Sequence, residues 1–343
     1  MTDPVLARLL RTGRLTAREI RATFGRLVDP RTADVERAAI LIALAGRSLS
    51  VPELAAFAGE MRRRATPFPL PSGDAPVDLC GSGGAPRPSY NVSTVSAVVV
   101  AAAGAPVVKH GNRSARGVCG SSDLLEALGL PVTRSRGFGR ATYRAHRLAF
   151  LHAPLYHPAT AAVAGVRRAL GLPTVFNRLG PLSNPARVPF QVVGAPDLPT
   201  AEMFSRVLDR MGVRQGISMS SVEGCDEFSP QRLTNAVLWD HGRFRTARID
   251  PRRWIEPDDR RGPWGPLPPA EAADEAERIL SGGGGARRGA VRLTSGAALW
   301  TAGRTTTLDA GIAEATAAID DGRAADLLAD LRRIARQYRR EGG

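Results

Sequence analysis

Three short stretches of the chain carry residue types that could do chemistry. In DLCGSGGAPRPSYNVST, Asp78 to Thr94, apolar residues run into Gly81, Ser82, Gly83 and Gly84, and Asn91, Ser93 and Thr94 lead out into another apolar run. A strand, a glycine-rich turn and a helix N-terminus in that order form an anion site. Glycines let backbone N–H groups approach the ligand, and the helix dipole favours negative charge. Asn91, Ser93 and Thr94 are expected to cap that helix and add side-chain donors. VVKHGNRSARGVCGSSD, Val107 to Asp123, is a second turn of this kind, with Lys109, His110, Asn112, Arg113, Arg116, Ser121 and Ser122. Lys109 brings a point charge suited to phosphate. In VEGCDEFSP, Asp226 and Glu227 stand side by side next to Gly224. Paired hard oxygen ligands hold Mg2+ jointly with phosphates. Each stretch alone is also compatible with an ordinary turn, and the first fits neither GxxxxGK[ST] nor GxGxxG. Together, two phosphate-friendly strand ends suit a ligand with two separate phosphates.

These stretches need elements to position them. VLARLLRTG, TAREIRATFGRLV, DVERAAILIALAG and VPELAAFAGEMRRR read as amphipathic helices, the last capped by Ser50 with Pro52 in its first turn. TPFPLPSGDAP, Thr66 to Pro76, is a Pro/Gly-rich connector and a natural boundary. Beyond it, strands (VDLCG, PVVKHG, FQVVG, GISMSSVEG) alternate with helices (STVSAVVVAAAG, SSDLLEALG, HPATAAVAGVRRALG, TAEMFSRVLDRMG). Alternation of this sort builds a parallel α/β sheet. AVLWDHGRFRTARI reads as a hairpin turning at His241-Gly242, and SGGGGARR as a mobile connection to the last helices.

With 343 residues and 43% hydrophobic, the chain can bury a sizeable core as one large or two unequal domains. MTDPVLARLLRTGRL has no continuous apolar segment of a signal peptide, and VSAVVVAAAGAPVV is broken at Gly104 and Pro106. Cys80, Cys119 and Cys225 lie far apart without CxxC spacing, which argues for reduced thiols, a cytoplasmic location and no zinc site. The net charge of +14 raises the possibility of nucleic acid. It is carried almost wholly by arginines spread along solvated helix faces, as in MRRR, and the single lysine is Lys109.

GSGGxxxxxYNVST, VVKHGNR…GSSDLLEALG, APLYHPATAAVAGVRRALGLPTVFNRLGPLSNPA and GCDEFS, in that order, resemble the anthranilate phosphoribosyltransferases, nucleoside-phosphorylase-like phosphoribosyltransferases of tryptophan biosynthesis. The resemblance runs through nearly the whole chain. It implies a helical N-terminal domain, residues 1–70, completed by a helical segment near 158–187. A larger α/β domain, 76–157 and 188–343, would carry a central mostly parallel sheet flanked by helices. It further implies a cytoplasmic homodimer that binds 5-phosphoribosyl 1-diphosphate with Mg2+ and displaces diphosphate by an acceptor amine. By position, Gly81, Ser82, Gly83, Gly84, Asn91, Ser93, Thr94, Lys109, Arg116 and Ser121 would hold the donor. Ser93, Asp226 and Glu227 would hold the metal, with Lys109 and both acids stabilising the transition state. His110, Asn112, Thr160 and Arg167 would line the acceptor side, Arg167 as carboxylate partner, whereas His152 and His157 look structural.

The chain departs from the family at Ala85, where an aspartate follows the double glycine, at Arg116 in place of a serine, and at Thr160 in place of a bulky neighbour of the acceptor. One reading keeps anthranilate as acceptor and passes the lost donor contacts to Arg87 and Arg116, which can grip phosphate bidentately. A second reassigns the scaffold to another acceptor of specialised metabolism, an aromatic amino acid or an aminoglycoside amino-sugar. A third is an inactive nucleic-acid-binding relative, against which stands an aromatic content of only 5%. On either enzymatic reading, replacing Lys109 or Asp226 is expected to lower turnover with little loss of stability.

Overall fold

The N-terminal sequence folds into helices because its apolar residues recur at helical spacing and its polar residues close the helix ends. In the computed structural model, which describes residues 4–11, 13–114 and 118–340, these are α1 (Pro4–Leu9), α2 (Ala17–Val28), α3 (Asp34–Ala45) and α4 (Val51–Arg63). Ile20, Thr23, Phe24 and Leu27 form the buried stripe of α2. Thr16 caps α2 reciprocally: Thr16 N–H donates to Glu19 Oε2 (2.7 Å) and Glu19 N–H to Thr16 Oγ1 (3.2 Å). Glu53 serves α4 in the same way, accepting from the N–H (2.8 Å) and hydroxyl (2.5 Å) of Ser50.

From residue 77 strands and helices alternate: β1 (Val77–Cys80), α5 (Val92–Ala102), β2 (Val107–Gly111), α6 (Ser121–Ala127), α7 (Arg136–His146), β3 (Leu148–His152) and the short α8 (Ala153–Tyr156). Next come α9 (Ala161–Leu170), α10 (Val175–Leu179), β4 (Phe190–Gly194), α11 (Leu198–Arg210) and β5 (Gln215–Ser221). The hairpin β6 (Thr234–Asp240) and β7 (Arg243–Ile249) precedes α12 (Pro269–Leu280), α13 (Ala286–Thr301), α14 (Leu308–Asp320) and α15 (Arg323–Arg340). The hairpin turns where expected, with His241 and Gly242 both left-handed (φ +44° and +78°), the geometry that matches strand twist. Of these elements α7, β3, α8 and α12 were not foreseen.

The strands form one sheet in the order β3-β2-β1-β4-β5-β6-β7. Its first five members pair in parallel and the last two antiparallel. The chain is thus a helical N-terminal domain joined to an α/β domain with a mostly parallel sheet. One core, with Val77, Leu79, Val99, Leu293 and Leu299, contains α5, α13 and their neighbours. A second joins Ile20, Phe24, Ile40 and Leu41 to Val163, Val166 and Phe176 of α9 and α10, and to Phe204 of α11 and Trp239 of β6. The SGGGG segment, expected as a mobile connection, is tied down: Gly285 N–H donates to Asp259 Oδ1 (2.8 Å), and Arg288 and Arg292 pair with Asp259 Oδ2. Among the described residues no helix is long and apolar enough to cross a membrane.

The chain runs outward from β1 through β2 to β3 and then returns to the other side of β1 for β4 and β5, so the strand order reverses between β1 and β4. Ligands of open α/β sheets bind outside the C-terminal strand ends at such a switch point. Loop 81–91, the segments 112–114 and 118–120, and loop 222–229 lie there, beyond β1, β2 and β5.

Candidate active site

Beyond Cys80 the chain turns through the glycine loop, with Gly83 left-handed (φ +65°). The loop closes on a carboxylate. Ser82 N–H (2.6 Å), Ser82 Oγ (2.7 Å) and Gly83 N–H (3.3 Å) all donate to Asp226 Oδ2. A Cβ at position 81 would stand 2.9 Å from that same oxygen, so a larger residue there would push the carboxylate off its donors. Gly194 at the end of β4 makes room likewise, since its Cβ would meet the Asp226 carbonyl at 1.8 Å. Gly84 N–H donates to Ser82 Oγ (3.1 Å), and Gly83 and Gly84 face solvent. Arg87, expected on the donor phosphate, instead clips the loop shut: its N–H donates to Gly224 O (3.1 Å) and its guanidinium pairs with Glu223 (3.2 Å).

The second turn is positioned by a split in the sheet. β1 and β2 share one register pair, Val77↔Val107, and then part. Side chains take the backbone groups that the split frees. His110 N–H donates to Asp78 Oδ1 (3.1 Å), and Lys109 Nζ donates to Leu79 O (2.6 Å). The same ammonium donates to Ser93 Oγ (3.2 Å), and Ser93 N–H donates to Glu227 Oε1 (3.3 Å). Glu227 is 3% exposed and its Oε2 has no hydrogen-bond partner. Burial first, and then the charge of Asp226, push its carboxyl up to about 8. Burial raises Asp78 to about 6 against the pull of Lys109.

A buried carboxyl oxygen without a donor is costly, and a hard divalent cation would take the place of its proton and satisfy it. The residues therefore fit Mg2+: Asp226, Glu227 and the Ser93 hydroxyl as ligands. Among the described residues no cluster of three or more acidic, His or Cys side chains could hold a metal alone. Ligand oxygens would have to complete the coordination.

Other expected donor residues are spent on the scaffold. Asn91 Nδ2 donates to Cys119 O (3.0 Å), which ties the start of α5 to the second turn, and Thr94 is buried in the first turn of α5. Ser121 Oγ donates to Asn112 O (3.0 Å), and Asn112 Oδ1 accepts from Arg113 N–H (2.7 Å). Arg113 pairs with Asp123 and Glu126. His152 is structural as expected, its Nδ1 2.8 Å from Ser122 Oγ. Arg116 lies outside the described residues.

On the expected acceptor side, the rings of His110 and His157 meet at 5.0 Å. Both rings are buried, His110 against the backbone of Gly180 and His157 against that of Ser183 and Met61. Burial, and then His157, hold His110 well below the usual imidazole range, and burial brings His157 down to about 4. Both rings are therefore neutral at pH 7. Thr160 Oγ1 donates to His157 O (2.8 Å), so the hydroxyl is turned back onto the backbone. Arg167 stacks over Phe176 (5.3 Å) and reaches Asn177 Oδ1 (3.4 Å), while its Nε is buried without a partner. Among the described residues no hydrogen bond or ring contact joins Arg167 to His110 or Asn112.

Sequence reasoning missed Asp78, although an acid inside the apolar strand VDLC was a visible signal. It also read the MRRR run as solvated, whereas Arg62 is 8% exposed with Nε and Nη2 unpartnered. Burial, and then repulsion by Arg187, lower that guanidinium to about 10.

The buried imidazole gives a pH prediction. His157 titrates near 4 in the folded chain and near its ordinary 6.5 when unfolded, so its stabilising contribution is full above 6.5 and is lost as pH falls toward 4. Wild type is expected to lose stability relative to His157→Asn across that window. Denaturant unfolding of both proteins at stepped pH checks this, and parallel pH curves would contradict it.

Residues 73–325 match the glycosyl transferase family, a/b domain, and residues 3–65 the helical bundle domain of the same family. An anthranilate phosphoribosyltransferase of Methylobacterium radiotolerans is 38% identical over 344 residues, 98% of this chain and 96% of the relative. Anthranilate phosphoribosyltransferase 2 of Streptomyces coelicolor is 39% identical over 85% of this chain and 87% of its own length. The crystal structure of the Thermus thermophilus anthranilate phosphoribosyltransferase superposes with a TM-score of 0.88 at 32% identity, covering 97% of this chain and 100% of that one. The Saccharomyces cerevisiae enzyme, solved in complex with PRPP and Mg, shares the fold with a TM-score of 0.86 at 22% identity over 97% of both chains.

Proposed function

This chain belongs to the anthranilate phosphoribosyltransferase family, and from that premise we propose that it moves the 5-phosphoribosyl group of 5-phosphoribosyl 1-diphosphate onto the amine of anthranilate, releasing diphosphate. The observation that supports this best is the meeting of three loops at one point. Asp226 lies on the glycine loop, and Ser93 touches both Lys109 and Glu227. We take residues 1–70 with 158–187 as one body and 76–157 with 188–343 as the other.

The residues divide the work as follows. N–H groups of Ser82 and Gly83, with the Ser82 hydroxyl, are donors for the donor's diphosphate. Lys109 has three protons, of which Leu79 O and Ser93 Oγ take two, leaving one for a phosphate oxygen. Ser93, Asp226 and Glu227 would hold Mg2+, which when bound supplies charge neutralisation to the departing diphosphate. Cleavage of the ribosyl C1–O bond builds positive charge on the sugar ring. The neutral His110 and His157 rings add no opposing charge there. An aromatic amine is already unprotonated at neutral pH, so it needs orientation rather than a strong base. The unmet Nε of Arg167 offers the acceptor carboxylate a charge-assisted hydrogen bond.

A second copy of the chain is the natural cover for the groove of about 1010 Å³ between α1 and α3, where Leu10 and Ile42 are exposed. Light scattering should give twice the chain mass of 36.4 kDa. A monomeric mass would contradict the dimer. Calorimetry with the ribosyl diphosphate donor tests the site itself: Mg2+-dependent binding is expected, and no binding with Mg2+ present would overturn the proposal.

A further inference from the structure

The donors that make the glycine loop an anion site are already in use. One carboxylate oxygen, Asp226 Oδ2, receives the Ser82 N–H, the Ser82 hydroxyl and the Gly83 N–H. The fit is built from both sides. Gly81 leaves the space the carboxylate fills, and Gly194 lets the Asp226 backbone approach the end of β4. Arg87 fastens the two loops together through Gly224 and Glu223. A carboxylate in a ring of N–H and O–H donors is the chemical stand-in for a phosphate oxygen.

We propose that Asp226 makes the glycine loop selective for metal-complexed diphosphate over free diphosphate, by occupying the loop's donors until a divalent cation offers its carboxylate another partner. The inference rests on the donor site described under Proposed function. A tethered carboxylate acts at an effective concentration of about millimolar or above, so a free anion must compete with it at every encounter. An anion that arrives with its cation exchanges partner for partner: the carboxylate passes to the cation and the loop's N–H groups pass to the anion. Discrimination then comes from a built-in competitor as well as from the attraction.

The test is equilibrium binding of inorganic diphosphate, measured calorimetrically with EDTA and with saturating Mg2+, in wild type and Asp226→Ala. The variant lacks the competitor and one metal ligand together. It is expected to bind free diphosphate about tenfold or more tightly than wild type, and to lose most of the gain that Mg2+ gives wild type. The tenfold ratio should persist at about 0.5 M salt, where long-range repulsion between exposed charges is screened. Equal or weaker binding of free diphosphate by the variant overturns the proposal, as does a gain that disappears in high salt. Asp226→Asn keeps a neutral acceptor in place, so it should show a smaller gain of the same sign, and it serves if the alanine variant fails to fold by circular dichroism. Failure of wild type to bind diphosphate even with Mg2+ removes the donor site itself, a result distinct from the others.

Discussion

Replacing Lys109 with methionine is expected to lower turnover by about a hundredfold to a thousandfold and to destabilise the protein by about 3 kcal/mol. The first loss follows from removing the one ammonium positioned for the donor's phosphates. The second follows from geometry that the sequence did not reveal. Lys109 is 3% exposed and bridges Leu79 O and Ser93 Oγ, so methionine leaves the Leu79 carbonyl buried without a donor. It also leaves Asp78 without its largest source of compensating positive charge. The expectation that this position would serve ligand alone, with little effect on stability, is therefore revised. Steady-state kinetics and urea unfolding together check it. A variant that melts like wild type would mean that the split between β1 and β2 does not depend on this side chain.

Glu227→Gln is expected to act in opposite directions on the same two measurements. Turnover should fall by about a hundredfold, because a neutral amide replaces a hard anionic ligand. Stability to urea without ligand should stay level or rise, because the buried carboxyl must take up a proton or remain charged without a donor, whereas an amide needs neither. A site residue that strains the empty protein shows this signature, whereas a structural residue would lower both. Loss of stability in Glu227→Gln would count against a ligand-holding role for this acid.

Much of this architecture was legible because its signals are local. Glycine turns after short apolar strands, capping residues such as Thr16 and Ser50, and the Asp226-Glu227 doublet declare themselves within a few positions. What was not legible depends on partners distant in sequence. Asp78 and His110 meet only because β1 and β2 part after one register pair, and Arg62 is buried only because the helical domain packs against β1 and its neighbours. Helix α7 went unseen because Gly137 and Gly139 are poor helix formers and its buried face carries only two large apolar side chains, Phe138 and Tyr143. Strand β3 is buried along its whole length and so shows no alternation. The departure at Ala85, and the role expected of Arg87, read differently in place. The arginine answers Glu223, and Asp226 fills the loop's donors from within the chain.

The loss of anthranilate fluorescence in a mixture of purified protein, 5-phosphoribosyl 1-diphosphate and Mg2+, with diphosphate released in equal amount, tests the proposed transfer most directly. The geometry of the site predicts that the signal decays, and that omitting either the donor or the cation stops it. Anthranilate that stays fluorescent while the donor is bound would contradict the assignment of this acceptor.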